Sequence, residues 1–186
     1  MATLNFQNGY RPSSEWEMKL TREGFGEALV ELGEERDDVV VLDADLAEST
    51  YTKFFRDKFP GRFFECGISE ADMMNTAAGL SKMGFTCFLS SYSIFLSGRA
   101  WDQMRNTVDY SFCNVKITAA HGGISVGKDG PTHQSNEDVS CTQPLVNMGA
   151  TVIEVESSHV PMLSKPEAVI DVIRQAAKAI QGNKSA

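Results

Sequence analysis

The sequence predicts an α/β fold, a three-layer αβα sandwich on a mostly parallel sheet of about six strands. Three observations carry that prediction. Short β-branched or apolar runs alternate along the chain with stretches of helical spacing, the pattern that parallel strands and their crossover helices leave. The run Val39-Val40-Val41-Leu42 has no polar interruption, as expected of a strand covered on both faces. Small and acidic residues follow the strand ends, where open α/β sheets build their sites.

Taken in order, residues 1–14 read as a polar arm, and 15–182 read as one α/β domain large enough to bury a core without staples. Trp16, Leu20, Phe25, Ala28, Leu29 and Leu32 recur at helical spacing, which predicts a helix over 15–32 stopped by Gly33. The strand at 39–42 exits through Asp43-Ala44-Asp45-Leu46-Ala47-Glu48-Ser49-Thr50. A short helix within 52–59 ends at Pro60-Gly61, and Phe63-Phe64 is a second strand. Residues 69–83 predict a helix with Met73, Ala77, Leu80 and Met83 on one face. Ser69, with Asp72 three positions on, reads as its N-cap, close to a capping box, and the acids of the first turn suit the helix dipole. Next come a strand at 85–89, a helix over 94–109 and a strand at 115–120. Residues 121–134 hold four glycines and a proline in fourteen positions, which excludes a regular element. A helix over 136–147, a strand at 151–155 and an amphipathic helix over 166–180 complete the expected order.

Composition narrows the function. The chain has 186 residues and a net charge of −8, which argues against a nucleic-acid backbone as partner, since such binders need a basic face. Small phosphorylated ligands stay open, because one Arg or one helix N-terminus can hold a phosphate. Cys66, Cys87, Cys113 and Cys141 are widely spaced with no CxxC pair, which favours reduced thiols over disulfides or a zinc site. No stretch reaches the roughly 20 apolar residues of a membrane span, and the arm lacks a signal peptide's apolar core. The expectation is a soluble cytoplasmic protein with neither nucleic acid nor membrane as partner.

Polar groups gather at the predicted strand ends: Asp45 and Ser49; Glu70; Tyr92, Phe95 and Arg99; His121, Asp129 and His133. Such convergence at the carboxyl edge of a sheet is the default site hypothesis. The wording of three segments is more specific. Gly67-Ile68-Ser69-Glu70-Ala71-Asp72-Met73-Met74 resembles the Gly-Ile/Val-x-Glu helix start of transketolases and deoxyxylulose phosphate synthases. Lys128-Asp129-Gly130-Pro131-Thr132-His133-Gln134 resembles their GEDGPTHQ loop, and Asp45-Leu46-Ala47-Glu48-Ser49 resembles their ADLxxS segment.

The resemblance covers about residues 15–150 and is to the pyrimidine-binding domain of the transketolase family of thiamine-diphosphate enzymes. It implies that Glu70 meets N1′ of the cofactor's aminopyrimidine and shares a proton with it. It further implies that Phe95, with Tyr92, Arg99 and Asp45, binds the cofactor, and that Ser49, His121, Asp129 and His133 meet sugar hydroxyls or phosphate, His133 also serving catalysis. The implied reaction passes a two-carbon ketol unit between sugar phosphates. The family holds the diphosphate through Mg²⁺ on a separate domain with a GDG motif followed by Asn, and neither occurs here. The implied partner is therefore a diphosphate-binding subunit that carries the metal, in a homo- or hetero-oligomer. Without that partner, the reading is a non-catalytic relative.

Residues from about 150 to 180 resemble instead the last strand, histidine loop and helix of α/β-hydrolases, with His159 at the catalytic position, as in a chimera, and the last strand-helix unit of the domain, about 150–182, is atypical. Gly123-Ile124-Ser125-Val126-Gly127 fits the GxSxG pattern, which raises a serine hydrolase using Ser125 and His159. An elbow must follow a strand directly and open a helix, and Ser125 is expected in the Gly-rich loop, so this reading is disfavoured.

Overall fold

A computed structural model describes residues 20–145, so the arm, residues 15–19 of the first helix, the strand at 151–155, the helix at 166–180 and His159 lie outside the described residues. Helix α1 spans Thr21–Glu35, and strand β1 spans Val39–Asp43. Two short helices follow, α2 (Ala47–Thr50) and α3 (Lys53–Lys58), then β2 (Phe63–Glu65) and α4 (Glu70–Lys82). Strand β3 (Thr86–Tyr92) leads into α5 (Ser93–Arg99) and α6 (Trp101–Gln103), which continues as a π-helical turn, Met104–Asp109. Strand β4 (Val115–Ala120) and helix α7 (Asp138–Thr142) complete the described elements.

The four described strands are all parallel, in the order β2-β1-β3-β4. The pleat of β1 explains why both faces are covered, since successive side chains point to opposite sides. Val39 and Val41 pack with Leu29 of α1 and Phe55 of α3. Val40 and Leu42 pack with Met73, Met74, Ala77 and Ala78 of α4 and with Leu89, Leu96 and Met104. The unbroken apolar run is therefore shared between two helical layers.

Several boundaries differ from the sequence expectation, each for a local reason. Helix α1 runs through Gly33, whose missing side chain makes room for the rings of Phe55 in α3 and Phe59 just after it. A Cβ built there would lie 2.6 Å from Phe55 and 2.7 Å from Phe59. Gly33→Ala is expected to destabilise the fold, since forcing a methyl into that contact costs about 1–3 kcal/mol against about 1 kcal/mol of helix propensity gained. A lower urea midpoint would bear this out, and an unchanged one would show that the rings yield freely.

The expected helix at 52–59 begins at Lys53 and is separated from α2 by Tyr51 in the left-handed region (φ 63°). Strand β3 extends to Tyr92 because Ser90, Ser91 and Tyr92 pair with Thr118, Ala119 and Ala120. The expected helix at 94–109 is broken at Ala100, and its wide last segment turns Met104 and Val108 into the core. That expected at 136–147 shortens to Asp138–Thr142, where the Asp138 carboxylate accepts the Ser93 hydroxyl at 2.5 Å. Ser69 stands at the N-cap of α4 but makes no side-chain capping bond, so the expected capping box is absent.

Candidate functional site

Strands β1, β2 and β3 end side by side, and what leaves them builds one cavity. It has a volume of about 380 Å³ and is lined by Asp45 and Leu46 after β1, Ile68 and Glu70 after β2, Phe95 and Arg99 of α5, and Thr132 with His133 from the Gly-rich loop. Five of the sequence-predicted residues, Asp45, Glu70, Phe95, Arg99 and His133, thus meet around one space.

Glu70 opens α4 and is only 3% exposed. A carboxylate so far out of water requires a charge partner or several donors. Arg99, 29 residues away, provides one: its Nη1 lies 3.2 and 3.3 Å from the two carboxylate oxygens. The same guanidinium lies over the Phe95 ring, 4.0 Å from its centroid. His133 meets Phe95 edge-on at 5.2 Å, and its Nδ1 is 2.9 Å from the Thr132 hydroxyl.

Tyr92 is buried and does not line this cavity. Its ring lies 5.9 Å from Phe95 and 5.9 Å from His133, which do, and 4.2 Å from His121, which does not, so it braces the wall from behind. His121 faces a second cavity, of about 580 Å³, shared with Arg22, Thr50 and Ser90. Arg22 Nη1 is 2.7 Å from His121 Nε2, and burial first, then the Arg22 charge, pushes the imidazole below its ordinary value. Its backbone has a positive φ of 58°, a conformation that favours glycine.

Asp129 is exposed at the start of a short 3₁₀ turn, and Ser49 sits half-buried in α2; neither lines these two cavities. Ser125 is exposed in a segment that opens no helix, so the geometry of a nucleophile elbow is not formed.

Two residues that the sequence reading passed over hold the site together. Asp43, fully buried, accepts from the Leu46 N–H at 2.6 Å and from the hydroxyls of Thr50 and Thr52 at 2.8 Å each. Burial pushes its carboxyl above the ordinary value, and those donors oppose the shift. Glu65 accepts from the backbone N–H groups of Asp45 (2.8 Å) and Gly67 (3.1 Å), tying the exits of β1 and β2. The paired threonines two residues apart were the available sign of the Asp43 network. Cys66, next along, is no ready nucleophile, because burial and then the carboxylates of Asp72, Glu65 and Asp43 push its thiol up to about 11. All four cysteines are free thiols. Among the described residues no helix is long and apolar enough to cross a membrane.

A carboxyl, an aromatic face and a histidine thus converge on one cavity at the edge of a parallel sheet, in an α/β domain of the three-layer type. The chain belongs to the transketolase pyrimidine-binding domain family: the family model described as "Transketolase, pyrimidine binding domain" matches residues 17–184. That span includes residues 150–180, where the hydrolase-like wording lies.

Among relatives, the chain is 50% identical over 127 residues to a "Putative transketolase C-terminal section" of Methanocaldococcus jannaschii, covering 68% of this chain and 40% of that protein. It is 38% identical over 127 residues to a "6-deoxy-6-sulfo-D-fructose transketolase subunit" of Clostridium sp. (strain MSTE9), covering 68% of this chain and 39% of that one. Among solved structures, one described as "Split gene transketolase, inactive beta4 tetramer" matches with a TM-score of 0.56 and 47% identity, over 66% of this chain and 39% of its own. Transketolase from Campylobacter jejuni subsp. jejuni matches with a TM-score of 0.64 and 25% identity, over 77% of this chain and 23% of its own. The chain spans at most about two fifths of the length of these relatives.

Proposed function

We propose that this chain is the pyrimidine-domain half of a split transketolase-type enzyme that moves a two-carbon ketol unit between sugar phosphates with thiamine diphosphate. The observation that carries the reading is the pairing of a buried carboxyl, Glu70, with an aromatic face, Phe95, across one cavity. The donor set fits an aminopyrimidine: a flat nitrogen-bearing group already lies on that ring and within reach of that carboxyl, namely the Arg99 guanidinium. When bound, thiamine diphosphate supplies the electron sink for breaking and making a C–C bond.

The chain's own residues bind and orient. Glu70 meets N1′ and shares a proton there, Phe95 stacks on the ring with Tyr92 braced behind it, and Asp45 closes the wall. His133 reaches from the loop toward the reacting end and moves a proton with the substrate. His121, Asp129 and Ser49 extend the site toward sugar hydroxyls and phosphate. Mg²⁺ and the diphosphate are held by a partner subunit of the diphosphate-binding type. That partner is supported by the relatives' descriptions as a C-terminal section, a subunit and a split-gene protein, each longer than the span matched here.

Calorimetry tests this directly: thiamine diphosphate with Mg²⁺ is expected to bind measurably only when a diphosphate-domain partner is added. Absence of binding in both cases would leave the non-catalytic reading in its place.

A further inference from the structure

We propose that Arg99 is an internal occupant of the aminopyrimidine slot, a guanidinium that holds Glu70 in the empty chain and swings out when the cofactor enters. The inference rests on the cofactor reading above, but in place of the cofactor-binding role that the family resemblance implies for Arg99 it puts a competition within that site.

The guanidinium satisfies both demands that the slot makes. Its Nη1 is shared between the two Glu70 oxygens at 3.2 and 3.3 Å, and its plane-centre lies 4.0 Å from the Phe95 centroid. A flat N–H donor over an aromatic face and against a carboxylate is the description of a bound aminopyrimidine as well. The two cannot occupy one ring face together. The rest of Phe95 is also committed, to the near-parallel Tyr92 ring at 15° and to the edge of His133.

Of the two partners, only Arg99 is free to leave. Glu70 is 3% exposed and fixed as the first residue of α4, whereas the Arg99 side chain is 51% exposed and is the last residue of α5, just before the break at Ala100. The contact also has a purpose in the empty chain, since a buried carboxylate with no cation beside it would be costly. Arg99 removes that cost and lowers the fraction of chains whose slot stands open. A binding-competent fraction of about one tenth weakens apparent affinity about tenfold.

The experiment uses the full chain with a diphosphate-domain partner, thiamine diphosphate and Mg²⁺. Arg99→Met keeps the aliphatic stem and removes the guanidinium, and it is expected to bind the cofactor about tenfold more tightly than the wild type by calorimetry. In the wild type, phenylglyoxal labelling of Arg99, read by mass spectrometry, is expected to rise when the cofactor is added. This second readout needs no variant and so stands even if Arg99→Met folds poorly. Equal or weaker binding by a folded Arg99→Met, or protection of Arg99 from the reagent, overturns the displacement while leaving the cofactor reading intact. No binding by either protein overturns that reading, and the inference with it.

Discussion

Glu70→Gln is expected to lower turnover of the reconstituted enzyme by about 10²–10⁴-fold, the range by which a positioned proton-transferring group contributes. The substitution is chosen because the fold should tolerate it. Gln has the same shape, and its Oε1 can still accept from Arg99, so the buried position keeps a partner. What it loses is the carboxyl group able to share a proton with N1′. Circular dichroism and the urea midpoint should change little while single-turnover rates collapse. Turnover retained in a correctly assembled Glu70→Gln complex would remove the assigned role and leave Glu70 as an internal counter-ion to Arg99.

The same residue illustrates what the chain discloses before it folds. Its place after Gly67 and at the head of a helix is local information, and the motif around it is distinctive. Its pairing with Arg99 is not local, because it depends on α4 and α5 meeting across 29 residues of sequence. Composition ranks Asp43 and Asp45 alike, and the sequence reading chose Asp45 from the motif. The end of the strand separates them: Asp43 is the last residue of β1 and fully buried, while Asp45 lies past it, exposed where the chain turns through a positive φ of 61°. Gly33 misled for a related reason. A glycine after a periodic run usually stops a helix, but here it makes room for Phe55 and Phe59, which only the folded layer brings near. The positions of the four described strands were legible because a short apolar run needs no distant partner to be recognised, whereas their order in the sheet depends on which runs meet in the fold. Helix lengths after β3 were not, since the break at Ala100 answers to packing.

Asp43→Ala is expected to cost about 3 kcal/mol, because it leaves one N–H and two hydroxyl donors around a buried void, and each unmade bond there costs about 1–3 kcal/mol. The estimate sits at the low end of the sum since Thr50 keeps contacts with the Leu46 carbonyl and the Thr52 hydroxyl. The sign of the pH dependence follows from burial, which raises the folded carboxyl above its ordinary value of 3.8. A raised value means that the fold favours the neutral form. The stability that Asp43 contributes through that preference is complete below about pH 3.8 and lost as pH rises through the folded-state value. The gap between wild type and Asp43→Ala should therefore be wider at pH 4 than at pH 7 in urea titrations; a gap that widens toward neutral pH would show that the three donors outweigh burial. Because the network fixes Leu46, which lines the cavity beside Asp45, the variant should also bind thiamine diphosphate more weakly in the assembled complex. Unchanged affinity in a destabilised Asp43→Ala would mean that this wall is held by Glu65 alone, through its bonds to Asp45 and Gly67.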